Sequence, residues 1–111
     1  MKSATVYLND VPAGLLTEQP NGYLFQYDRQ FLQRPTARPV SLTLPLTKQP
    51  YQLPYLFPFF TGLLPEGYNR TVQCRLLRID ENDEFGLLLA VAGTDTIGAV
   101  RVLANKQPTT P

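Results

Sequence analysis

The sequence predicts an α+β fold: a small, strongly bent antiparallel sheet of about five strands, with two or three helices covering one face and joined by Pro/Gly turns. Three observations carry this. Short runs of alternating apolar and polar residues start near the N-terminus. Longer runs at helical spacing lie in the second half. Eleven prolines and seven glycines fall between the periodic runs rather than in one tract, so they punctuate short elements.

In chain order, Ala4, Val6 and Leu8 alternate with Thr5, Tyr7 and Asn9, the two-residue period of a half-buried strand. Turn formers from Asn9 to Gly14 lead into Leu15-Leu16-Thr17, making a first hairpin. Pro20-Asn21-Gly22 marks a second turn before Tyr23, Phe25 and Tyr27 on a third strand. Asp28 is placed to cap a single helical turn across Arg29-Gln30-Phe31-Leu32. Val40, Leu42 and Leu44 alternate with Ser41 and Thr43 in the cleanest strand pattern of the chain, ended by Pro45, and Lys48 to Pro54 reads as a loop.

Helical spacing then takes over. Pro58 suits the first position of a short helix carrying Phe60, Leu63 and Leu64, because its missing N–H costs nothing there. Pro65-Glu66-Gly67 interrupts it, and a second helix starts at Tyr68 or Asn69 with Val72, Leu76 and Ile79 on one stripe. Asn82 reads as the N-cap of a third helix, with Asp83 and Glu84 at the positive end of its dipole. Phe85, Leu88, Leu89 and Ala92 form its apolar face, and Gly93 is its left-handed terminator. Ile97 to Leu103 closes the domain as a last strand. The predicted core is Val40, Leu42, Leu44, Phe60, Leu64, Leu76, Phe85, Leu88, Leu89 and Val100. The expected organisation is one domain over residues 1–104 and a flexible tail over 105–111 of Pro/Thr-rich composition.

Size and composition agree with one self-supporting core. A chain of 111 residues buries roughly 65% of the surface its unfolded form exposes, which supports folding without a disulfide or metal. Hydrophobic residues make up 43% and charged residues 17%, a globular balance. Ten Lys and Arg against nine Asp and Glu leave a net charge of +1, too little to draw nucleic acid or an anionic membrane by its field. One cysteine and no histidine exclude an internal disulfide and a Cys/His nucleophile pair, and leave no zinc-ligand set. A cytoplasmic protein is expected, since the N-terminus shows no signal-peptide run and no stretch of membrane-spanning length.

The groups that carry chemistry are sparse. Without histidine, acid and base work falls to Asp, Glu, Lys, Tyr or Cys74, and none of them sits in a recognisable constellation. No phosphate-binding glycine loop and no kinase catalytic-loop signature occurs. Cys74 reads as a partly buried small hydrophobe. Asp80, Glu81, Asp83 and Glu84 lack the spacing and the glycine of a calcium loop, and read as a solvated helix start. Arg29, Arg34 and Arg38 near Tyr23, Phe25 and Tyr27 offer an alternative: a β-sheet that stacks the bases of single-stranded nucleic acid. Aromatic residues on alternate strand positions are more often core, and three arginines make a thin footprint.

Three motifs in order point further. They are Ala37-Arg38-Pro39-Val40-Ser41-Leu42-Thr43-Leu44-Pro45-Leu46, then Phe57-Pro58-Phe59-Phe60-Thr61-Gly62-Leu63-Leu64-Pro65-Glu66-Gly67, then Asp83-Glu84-Phe85-Gly86-Leu87-Leu88 followed by Gly93 to Val100. Together they resemble the N-terminal subdomain of HipA-type serine/threonine kinase toxins, over about Val6 to Leu103. In full-length relatives of that family a kinase follows, carrying the nucleotide-binding and catalytic residues, and this chain has none of those. The resemblance extends to the small HipS-type subunit of split HipBST systems. It implies a non-catalytic antitoxin without cofactor or metal that binds and inhibits a HipA/HipT-like kinase, with a HipB-like DNA-binding protein joining through the complex.

By the same resemblance the partner-binding segment is Leu64, Pro65, Glu66, Gly67 and Tyr68. The position after Glu-Gly holds a Trp in the split-system subunits, where it enters the kinase active site; here it is Tyr68. A tyrosine at a helix joint offers a large, fairly rigid, amphipathic anchor, and Glu66 adds a charge-assisted contact to a basic group. A second implied role is assembly or dimerisation of a HipA-type kinase complex on DNA without direct inhibition.

Overall fold

The computed structural model describes residues 2–92 and 100–105. Five strands form one antiparallel sheet: β1 (Ser3–Leu8), β2 (Val11–Gln19), β3 (Gly22–Tyr27), β4 (Tyr51–Leu53) and β5 (Val100–Ala104). Their spatial order is β4-β3-β2-β1-β5, so β5 returns to pair with β1. Four helices complete the α+β fold: α1 (Arg29–Leu32), α2 (Pro58–Thr61), α3 (Gly67–Leu77) and α4 (Glu84–Val91). Gly93, the stretch through Ala99 and the tail beyond Asn105 lie outside the described residues.

The first hairpin is tighter than the run of turn formers suggests. Asn9 and Asp10 take φ of 51° and 66°, the left-handed pair a two-residue hairpin turn requires, and both residue types tolerate it. Val11 to Gly14 therefore belong to β2. Register shifts between Val6 and Tyr7, which pair with Gly14 and Pro12, leaving Ala13 as a bulge residue. Its carbonyl accepts from the Asp28 N–H at 2.8 Å, tying the bulge to the start of α1. Asp28 also caps α1, accepting from Gln30 N–H at 2.8 Å.

Val40 to Leu44 do not form a strand. Prolines 39 and 45 flank the segment, and its backbone is satisfied locally: Thr43 N–H donates to the Ser41 hydroxyl at 3.2 Å, and Leu44 N–H to the Ser41 carbonyl at 3.0 Å. The result is a turn. Val40 and Leu44 are buried on its two flanks, while Leu42, expected in the core, projects from the tip at 94% exposure. The buried Tyr27 hydroxyl clamps the turn, accepting from Val40 N–H at 3.0 Å and donating to the Leu44 carbonyl. The fourth strand comes instead from Tyr51 to Leu53, within the stretch expected as a loop, where it pairs with β3. Gly22, at φ +148°, admits this pairing, since a Cβ there would lie 2.2 Å from Leu53 O.

The core fills the covered face of the sheet. Phe25 on β3 touches the rings of Tyr27, Phe57 and Phe60 at centroid separations of 5.0, 6.5 and 5.8 Å. Ala4, Val6, Leu16, Val100 and Val102 add the sheet's other inward residues. On α4, Phe85, Leu87 and Leu88 are fully buried and Leu89 only partly, so the buried arc is wider than the expected face and centred differently. The α4 N-cap is Asp83, one residue beyond Asn82: its Oδ1 accepts from Gly86 N–H at 3.0 Å, while Asp80 Oδ1 takes the Asn82 N–H at 2.8 Å. Asp83→Ala is expected to lower stability by about 1 kcal/mol, read from urea denaturation. An unchanged midpoint would remove Asp83 as the cap.

Candidate functional site

The expected partner-binding segment forms the joint between α2 and α3. Leu64 is buried in the core and anchors one side. Pro65 cannot continue a helix, and Glu66 is extended at φ −122° and ψ 157°. Gly67 then turns the chain at φ +56°, in the left-handed region that favours glycine. A Cβ on Gly67 would meet nothing within 4 Å, so the demand for glycine is conformational rather than steric.

The turn sets Tyr68 on the first turn of α3 with 81% of its surface exposed. Glu66 and Gly67 are exposed beside it, and the Glu66 side chain makes no cap bond to the helix. Leu64 and Tyr68 thus have opposite roles in one five-residue segment. The first holds the joint down and the second projects from it.

Arg70 braces the joint, which sequence reasoning missed. Its Nε donates to the Pro65 carbonyl at 3.0 Å, and a guanidinium NH lies 3.6 Å from Glu84 Oε2 on the first turn of α4. Thr71 Oγ1 donates to Glu81 Oε1 at 2.6 Å alongside. These bonds tie the start of α3 to the acidic segment before α4, so Glu81 and Glu84 have structural partners. Only the tertiary fold brings Arg70 to both groups.

The remaining sequence candidates fall elsewhere. Cys74 is buried and free. Phe25 and Tyr27 are buried in the core and Tyr23 is half-buried against Phe85, so the β3 aromatics offer no open stacking surface for bases. Arg34 and Arg38 line a separate open cavity of about 640 Å³ with Leu8, Val11 and Phe31. Among the described residues no cluster of metal-ligating side chains occurs, and no helix is long and apolar enough to cross a membrane. What the joint presents is an exposed aromatic ring, a carboxylate and a braced backbone, which suits recognition of a macromolecule.

A sequence model of the HipA N-terminal domain matches residues 4–103. The chain belongs to the HipA N-terminal domain family. A solved structure of the N-terminal domain of HipA toxin superposes with a TM-score of 0.70 at 29% identity, covering 96% of this chain and 95% of that one. The five-stranded α+β arrangement is thus that of the HipA N-terminal domain. An uncharacterized protein of Haemophilus influenzae is 35% identical over 107 residues, 96% of each chain. A Sinorhizobium fredii protein named as a kinase, Y4mE, is 33% identical over 95 residues, covering 85% of this chain and 22% of Y4mE. The family domain therefore matches both a chain of similar length and a small part of a much longer protein.

Proposed function

We propose that this HipA N-terminal-like chain is a non-catalytic binding subunit that associates with a HipA/HipT-like serine/threonine kinase and inhibits it, as an antitoxin does. The observation that carries the reading is Tyr68, held 81% exposed on a joint anchored by Leu64 and braced by Arg70. An amphipathic ring kept in water on a stiff backbone loses little entropy on binding, which is what an interface anchor needs. Two further facts support it. The domain matches 22% of a protein named as a kinase, and a coextensive relative exists in Haemophilus influenzae.

The test is to mix the chain with the HipA-type kinase of the same organism. A stable complex on size exclusion and a fall in phosphotransfer are expected. Tyr68→Ala should weaken inhibition by about 30-fold, the size of an interface hot spot, and leave the melting temperature unchanged because the ring is exposed. Separate elution at micromolar concentration would sink the reading, and full inhibition by the variant would remove Tyr68 from the site. A kinase that is bound yet fully active would instead assign the chain an assembly role.

A further inference from the structure

Helix α3 is eleven residues long, yet Cys74 is the one residue it buries. Tyr68, Val72 and Leu76 recur every four residues along one line, with Tyr68 81% and Leu76 75% exposed. The sequence placed Leu76 in the core as part of a helical stripe with Val72 and Ile79; the fold turns Leu76 outward, leaves Val72 half-buried and packs Ile79 against the core. Short helices normally draw their stability from packing an apolar face, and this one leaves Tyr68 and Leu76 in water with Val72 half-buried between them.

The charges on the helix itself share one sign, with the exposed Glu66 lying just ahead of it beside Tyr68. Helix α3 contains no Asp or Glu. Arg70 is committed to Pro65 and Glu84. Arg75 beside the line and Arg78 at the left-handed C-cap are exposed and take part in no ion pair among the described residues.

We infer that α3 is a docking helix, which lays Tyr68, Val72 and Leu76 into an apolar groove on the partner kinase while Arg75 and Arg78 pair with carboxylates on the groove's rim. This rests on the kinase-binding reading above and extends the interface from the joint along the helix. Complementary charge favours such a groove, because two unpaired arginines at the edge of an apolar line gain from a carboxylate rim and lose from a basic or neutral one. The helix face is also too small to act alone. At about 16 Å long and ~10 Å across it covers well under the ~800 Å² per partner of a stable interface, so it works together with the adjoining joint.

The test titrates the HipA-type kinase of the same organism with the intact chain at low and high salt. Leu76→Asp is expected to weaken binding about tenfold or more. The Arg75→Glu/Arg78→Glu double variant should weaken binding at low salt and remove most of the salt dependence seen with the wild type. Both changes are at exposed positions, and unchanged melting temperatures would verify the fold. Wild-type affinity and salt dependence in both variants would overturn the docking helix while leaving kinase binding intact. Failure of the wild type to bind would overturn the kinase reading and the helix role with it. A wild-type dimer that Leu76→Asp splits would assign the face to a second copy, against the inference.

Discussion

Phe25→Ala is expected to destabilise the domain by about 3–5 kcal/mol. Phe25 is fully buried and its ring is shared among Tyr27, Phe57 and Phe60, so its loss removes a large apolar surface and opens a cavity between β3 and α2. The sheet itself resists collapse into that space. A domain of this size is typically stable by about 5–15 kcal/mol, so the variant should melt many degrees lower and populate the unfolded state at 37 °C if the wild type is near the low end. Thermal and urea denaturation read this directly. A loss below ~1 kcal/mol would mean the aromatic cluster is not the centre of the core. Under the proposed function, loss of kinase inhibition in this variant should track the unfolded fraction, unlike that of Tyr68→Ala.

Tyr27→Phe is expected to cost about 2–6 kcal/mol, although it removes a single oxygen. That oxygen serves two backbone groups in a buried setting, Val40 N–H and Leu44 C=O, and each group left without a partner costs about 1–3 kcal/mol. The control is Tyr51→Phe, whose hydroxyl bonds the Pro45 carbonyl at an exposed site; water replaces that bond, and the change should stay below ~1 kcal/mol. Hydrogen exchange at the Val40 amide should accelerate in Tyr27→Phe and not in Tyr51→Phe. Equal effects of the two variants would remove the clamp.

The same hydroxyl makes stability depend on pH at the alkaline end. Burial raises the Tyr27 phenol above its usual value of about 10, with the Val40 hydrogen bond pulling partly back; burial and the neighbouring Glu18 carboxylate raise Tyr23 as well. Below pH ~10 both folded and unfolded phenols are neutral, and the full stability is present. Above it the unfolded chain ionises first, so stability falls until the folded phenols ionise too. Tyr27→Phe should show a smaller loss over that window than the wild type.

Much of the architecture was legible locally. The period-two runs located β1 and β3, the Asp28 cap and Pro58 start marked α1 and α2, and the three motifs pointed to the family that residues 4–103 then matched. The joint from Leu64 to Tyr68 was legible too, because Pro, Gly and a following helical pattern dictate a break wherever they occur. The misplaced fourth strand has a plain cause. Alternation at Val40, Leu42 and Leu44 says which side chains point the same way, but says nothing of whether a neighbouring strand is available to pair. The Ser41 hydroxyl and carbonyl took the Thr43 and Leu44 N–H groups that a ladder needs, and Tyr51 to Leu53 reached the open edge of β3 instead.

The sequence by itself determined the alternating strands, the helix starts, the turn residues and the family, since each depends on residues near in the chain or on motif order. The tertiary structure decided which apolar positions enter the core. It turned Leu42 and Leu76 outward, buried Leu87, closed the Tyr27 clamp and set Arg70 against Glu84. Those outcomes depend on what lies opposite each side chain, and contacts between residues distant in the chain are settled when the sheet and helices pack together.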